Sequence, residues 1–157
     1  MVLLVPMNDQ EFSAYIRSSI ENYASEKVKS GNWKQENALN LAKEEFHRLL
    51  PDGIRTKDQY LLNIFDEKTE NNVGILWVGT SPRGNFLGAF IWDFLIHEKF
   101  RRKGYATQAL KELEKFLKAM EIKQVSLHVF GHNHEAIALY QKAGYKVTNM
   151  NMSRQID

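Results

Sequence analysis

The sequence predicts a mixed α/β fold built on one sheet, and three observations carry that expectation. Apolar residues recur at helical spacing over roughly the first fifty positions, change to strand-like runs between about residues 60 and 96, and return to helical spacing after about residue 105. The runs in the middle are joined by short turns, which makes them antiparallel neighbours. A helix then separates the last of them from the next strand, the arrangement of a parallel, right-handed crossover.

Taken in order, Val2 to Val5 is short and apolar and fits a first strand at a sheet edge. Asn8 or Asp9 can cap a helix carrying Phe12, Tyr15, Ile16, Ile20 and Tyr23 at helical spacing. That helix fades near Lys29-Ser30-Gly31. A second follows, with Ala38, Leu41, Ala42, Phe46, Leu49 and Leu50 on its apolar side, until Pro51-Asp52-Gly53 stops it. Tyr60 to Phe65, Val73 to Gly79 and Phe86 to Ile96 are aromatic and branched runs that predict a three-stranded meander. Glu70-Asn71-Asn72 and Ser81-Pro82-Arg83-Gly84-Asn85 are its turns. The next helix gathers Ala106, Ala109, Leu110, Leu113, Phe116, Leu117 and Met120 on one face. Val125 to Val129 is a strand with Leu127 and Val129 on one face and Ser126 and His128 on the other. Asn133 can cap a helix running to Lys142, and Gly144 suits the position just past its end. Tyr145 to Met150 reads as a strand, with a further short one over Met152 to Ile156.

Composition narrows the function. The chain has 157 residues, 43% hydrophobic and 25% charged, which suits one soluble domain spanning 1–157 with a real core. A formal net charge of +2 makes any basic patch local, so no nucleic-acid partner is expected. The absence of cysteine rules out disulfides, thiolate metal ligands and a cysteine nucleophile. MVLLVPMNDQEF lacks the basic start and long apolar stretch of a secretion signal, and no run approaches the ~20 apolar residues of a membrane span. A cytoplasmic protein without a membrane partner is the expectation.

One stretch stands out. Phe94 to Leu110, FLIHEKFRRKGYATQAL, leaves a strand, passes a short basic turn and enters a helix. Gly104 lets the turn take a positive φ and approach a ligand closely. The first N–H groups of the helix have no partner within it and point beyond its end. With the helix dipole and Arg101, Arg102 and Lys103, that is a place for a phosphate or pyrophosphate.

Two motifs now stand together: Arg101-x-x-Gly104-x-Ala106 after a strand, and Asn133-x-x-Ala136-x-x-x-Tyr140-x-x-x-Gly144-Tyr145 about thirty residues on. In this spacing and element order the chain resembles the GNAT superfamily of N-acetyltransferases over its whole length, most of all small bacterial members with a similar N-terminal helix pair. The resemblance implies the GNAT (acyl-CoA N-acyltransferase) fold: a mixed, mostly antiparallel sheet with two splayed parallel strands, flanked by helices. It implies acetyl-CoA as cosubstrate and no metal. The pyrophosphate would lie on the backbone of Arg102 to Thr107, through Lys103, Gly104, Tyr105 and Ala106, with Arg101 alongside. Phe94-Leu95-Ile96 matches the place where the family bulges and splays its strands, lets backbone groups pair with the pantetheine arm, and aims one N–H at the thioester carbonyl. Asn133, Ala136 and Tyr140 complete the cofactor side.

Acetyl transfer to an amine needs a neutral nucleophile, a stabilised oxyanion and a protonated leaving thiolate. Tyr140 matches the family's general acid, and a phenol of ordinary pKa about 10 carries its proton at neutral pH. Its plain structural alternative is an aromatic side chain packed on the sheet. The base stays open. Histone-acetylating relatives carry a glutamate where this chain has Phe90, and ribosomal-protein alanine acetylases carry one where it has His128. His128 can deprotonate an ammonium directly or through water, or simply fill a sheet face. Asp93 is the other candidate, either as base or as a contact for the substrate's ammonium, and water alone is the third.

The expected activity is an acetyl-CoA-dependent N-acetyltransferase acting by direct transfer to a primary amine of a small amine, an antibiotic or a protein. A non-catalytic acyl-CoA-binding regulatory module is the alternative. His128, His132 and His134 lie close in sequence, but no carboxylate or thiolate set frames them as metal ligands. The helix pair borders the acceptor site in the family, which makes Tyr23, Trp33, Glu21, Glu26 and Trp92 acceptor-side candidates. A monomer or homodimer is expected.

Overall fold

In the computed structural model, which describes residues 1–81 and 88–157, five strands form one sheet in the order β1-β2-β3-β4-β5. They are β1 (Val2–Pro6), β2 (Gln59–Asp66), β3 (Asn71–Ser81), β4 (Gly88–Ile96) and β5 (Val125–Leu127). The helices are α1 (Asp9–Lys29), α2 (Gln35–Leu49), α3 (Tyr105–Ala119) and α4 (His134–Lys142). β1 to β4 pair antiparallel in sequence order, and β5 joins β4 in parallel through α3, as the crossover required. Most of the turn expected after Ser81, and the start of the third run at Phe86, lie outside the described residues.

Both sheet faces are covered, so β3 is buried almost throughout instead of alternating. Leu76 and Val78 face α3, packing with Ile64, Ile91, Leu110, Leu113 and Leu117. Ile75 and Trp77 face the other way, onto Met7, Tyr15 and Leu50 under α1 and α2. Ile64, Val73, Leu76 and Val78 are fully enclosed, each worth roughly 1.5–3 kcal/mol of burial. Ala24, Ala38 and Ala42 let α1 and α2 approach closely.

The caps fall where local chemistry puts them. Asn8 and Glu11 form a reciprocal capping box at the start of α1. The second Glu11 oxygen accepts from Asn63 (2.9 Å) and Asn72 (3.2 Å), fastening α1 to β2 and β3. Gly31 (φ 81°) follows the end of α1, and Gly144 (φ 98°) follows α4.

Three expectations change. The β4 register shifts earlier than expected: Trp77 pairs with Asp93 and Val78 with Ile91, so Trp92 is the extra residue of a bulge, two positions before Phe94-Leu95-Ile96. β5 ends at Leu127 rather than Val129, because its ladder with β4 holds only Ala89, Ile91 and the residue between before β4 bends away. Tyr145 to Met150 and Met152 to Ile156 form no strand among the described residues. Tyr145 turns into the core beside Tyr140, and Val147, Met150, Met152 and Ile156 beyond it are exposed, with no ladder to fix them. Among the described residues no helix is long and apolar enough to cross a membrane.

Candidate active site

The basic turn is built from two left-handed residues, Arg102 (φ 60°) and Gly104 (φ 82°), immediately before α3. Such conformations turn successive N–H groups toward one side and make a concave anion site. No side chain caps α3 among the described residues, which leaves its first-turn donors, from Tyr105 and Ala106 through the exposed Thr107, to whatever lies beyond the helix. The cationic side chains have other duties. Arg101 Nε donates to the Ile96 carbonyl (2.8 Å), closing the turn onto the end of β4. Arg102 reaches Glu135 at 3.6 Å in a pair so exposed that it adds little stability. Lys103 is exposed.

What pins the turn is Asp66, a residue that nothing in the sequence singles out. Tyr105 donates its hydroxyl to Asp66 (2.8 Å) at the end of β2. Asp66 is buried, and it also accepts from the Thr69 hydroxyl (2.8 Å) and the Lys68 N–H (3.2 Å). The Thr69 and Tyr105 hydrogen bonds hold its carboxyl below the usual range. The start of α3 is thereby tied to the β2–β3 corner.

Beyond Ile91 and Leu127 the two parallel strands part, and Phe94, Leu95 and Ile96 pair only with β3. Their other edge offers main-chain donors and acceptors to an extended ligand, as in strand addition. The bulge also decides where Asp93 goes. Trp92 packs on Trp77 and Phe90, and Asp93 follows it onto the same α1-facing side. There Tyr15 donates its hydroxyl to Asp93 Oδ2 at 2.7 Å. Burial pushes the Asp93 carboxyl upward, against the hydrogen bonds from Tyr15 and the Phe94 N–H.

Tyr140 stands on α4, half-buried, with its ring 6.3 Å from Phe94 and 5.6 Å from Tyr145. Burial, then the charge of Asp93, then Tyr145 drive its phenol well above 10, so it keeps its proton. The charge of Asp93 is thus felt at Tyr140, although Asp93 meets Tyr15 on the α1 side and the Tyr140 ring packs by Phe94 on the α3 side. Asn133 caps α4 by accepting from the Ala136 N–H (3.3 Å).

His128 sits elsewhere. It lies just past β5, exposed, with its ring edge against Phe130 (5.0 Å). Loss of surrounding water and then the Lys27 ammonium lower its pKa, which favours the neutral imidazole. His132 meets Glu26 of α1. Tyr23 and Trp33 pack edge to face at 5.6 Å. Tyr23 donates to Glu45 (3.1 Å), and burial with that carboxylate pushes its phenol up to about 12. Glu21 is set apart, lining a hollow between α1 and α2 with Ala38 and Leu39.

Sequence reasoning singled out Asp93, Tyr140 and the turn, and passed over the Tyr15 partner of Asp93, Asp66, Lys27 and Phe130. Tyr15 looked like an ordinary member of the core face of α1. Nothing local signalled a partner 78 residues away.

Comparison with known proteins agrees with this geometry. The family model described as Acetyltransferase (GNAT) family matches residues 25–145. The uncharacterised N-acetyltransferase YycN of Bacillus subtilis is 40% identical over 156 residues, covering 99% of both chains. A second from that organism, YdgE, is 34% identical, covering 98% of this chain and 97% of its own. The crystal structure of YycN superposes with a TM-score of 0.94 at 39% identity, over 99% of each chain. The PaiA N-acetyltransferase of Thermoplasma acidophilum, solved in complex with coenzyme A, has a TM-score of 0.68 at 18% identity, over 96% of this chain and 93% of its own, a likeness of fold. With a left-handed turn opening α3, a parted strand pair and relatives matching from end to end, this chain belongs to the GNAT family of acetyltransferases.

Proposed function

We propose that residues 1–157 act as one domain that moves the acetyl group of acetyl-CoA directly to a primary amine within a ternary complex. The observation that carries the reading is the unpaired edge of β4 beyond Ile91, with the half-buried Tyr140 ring beside Phe94 on that segment. Residues Arg102 to Thr107 hold the pyrophosphate through their N–H groups, and Asn133 sets α4 through its cap. The backbone of Phe94, Leu95 and Ile96 lines the pantetheine arm and polarises the thioester carbonyl. Asp93, its carboxyl pKa raised by burial, takes the proton of the incoming ammonium, directly or through water. Tyr140 gives its proton to the departing sulfur. His128 is the second candidate base, and its depressed pKa suits that role, but it stands with Phe130 rather than with Asp93 and Tyr140.

The test is release of the CoA thiol from acetyl-CoA over a panel of primary amines. Turnover that depends on an amine supports the reading. Tight acetyl-CoA binding without turnover on any amine replaces it with a non-catalytic acyl-CoA-binding module.

A further inference from the structure

The side chains unused by this reading gather where α1 meets the segment after β5. Three aromatic rings from three places in the chain converge there on one ammonium. Lys27 Nζ stands 5.6 Å from the Tyr23 ring centroid, 5.3 Å from that of Trp33 and 6.0 Å from that of Phe130. A cation within about 6 Å of a ring face is attracted by its quadrupole, and several rings around one cation make a cage for ammonium groups. Acidic groups frame it. Glu26 meets His132, whose ring stacks on Phe130, and Glu45 accepts from Tyr23. The position matters as well. Phe130 is only three residues past Leu127, the point where β5 parts from β4, a span of at most about 10 Å.

We propose that this cage receives a second cationic group of the amine acceptor, displacing Lys27. The acceptor class is then a short molecule with two ammonium groups separated by a butyl- or pentyl-length chain. One nitrogen reacts at the strand splay and the other rests among Tyr23, Trp33 and Phe130. The exchange replaces one ammonium by another, so the rings lose no cation. Lys27 is only partly buried, and its flexible stem can swing toward solvent. The inference rests on the acetyl-transfer reading for the identity of the reacting nitrogen, and the test separates the two.

The probes are 1,4-diaminobutane and butylamine. In the first arm, the indole N–H signals of the three tryptophans are followed by NMR in the wild-type protein, with Trp33→Leu identifying one of them. Trp33 is expected to shift with diaminobutane and not with equal butylamine. In the second arm, the ratio of KM for butylamine to KM for diaminobutane is expected to be about tenfold in the wild type. That ratio falls toward one in Trp33→Leu and in Phe130→Leu, and widens in Lys27→Met, which empties the cage. Equal KM for the two amines, or a preference that survives both cage variants, overturns the proposal. If no amine turns over, acetyl transfer fails as a reading, and the indole signal alone decides. A shift with diaminobutane upholds the cage, and no shift at saturation overturns it.

Discussion

Gly74→Ala tests whether the splay depends on how closely β3 approaches β4. A Cβ added at Gly74 would lie 2.2 Å from the Leu95 carbonyl oxygen and 3.1 Å from the Ile96 Cα. Real Cβ contacts essentially never fall under 3.0 Å, so the strands must separate by about 0.8 Å, and by about 1.2 Å to reach ordinary contact. Both obstacles are backbone and cannot rotate away. Overpacking of this kind costs about 1–3 kcal/mol, and a rigid ladder argues for the upper end. For a chain of this size about 3 kcal/mol lowers Tm by roughly 6–12 °C. The displaced residues, Leu95 and Ile96, are the ones proposed to pair with the pantetheine arm, and a shift near 1 Å in such a site costs about a hundredfold in rate. Thermal denaturation, calorimetric titration with acetyl-CoA and the thiol-release assay measure the three effects. Gly131→Ala is the stability control, since nothing lies within 4 Å of its added Cβ and its φ is unstrained. A Gly74→Ala protein with the parent's Tm and acetyl-CoA affinity would refute the reasoning.

Three further outcomes are expected. Tyr140→Phe keeps the ring against Phe94 and Tyr145, so Tm shifts by less than about 2 °C while kcat falls about a hundredfold or more and acetyl-CoA affinity is retained; unchanged turnover would remove the acid. Burial raises Asp93, so the folded state keeps that proton to higher pH than the unfolded chain; stability is full below the ordinary carboxyl value of about 4 and is lost as pH rises through the folded value. Asp93→Asn removes that loss, and denaturant midpoints taken at acid and neutral pH should show the variant gaining on its parent as pH rises, while its turnover falls. Asp66 has the opposite sign: its lowered pKa gives stability that is present above about pH 4 and disappears as pH falls through the folded value. Asp66→Asn should flatten the acid limb of the stability curve and weaken acetyl-CoA binding, and a variant that keeps the parent's acid limb would contradict the role of this residue.

What the sequence made legible was mostly local. The cap expected at Asn8 or Asp9 (it is Asn8), Gly104 before α3, and Asn133 and Gly144 around α4 all act within a few residues of themselves, and all stand in place. The core stripes of α1, α2 and α3 could be read for the same reason. Contacts joining distant segments could not. Tyr15 to Asp93, Tyr105 to Asp66 and Glu26 to His132 span 78, 39 and 106 residues, and no periodicity encodes them. The C-terminal segment shows the converse failure: Tyr145 and Val147, and then Met150 and Met152, stand two apart as in a strand, but a strand exists only where another supplies its hydrogen bonds.

The Trp92 bulge has a consequence for counting along β4. A strand is a parity device, odd positions to one face and even to the other, and a single extra residue reverses the assignment for everything after it. Phe90 and Trp92 obey one parity, and Ile91 obeys the other together with Phe94 and Ile96. Asp93 falls at the switch. Smooth out the bulge with Trp92 retained, and the strand would regain a single parity, with Asp93 exchanging the Tyr15 side for the α3 side and Phe94 crossing the other way. One inserted residue thus sets two things that seem separate, the side on which Asp93 meets Tyr15 and the side on which Phe94 meets Tyr140.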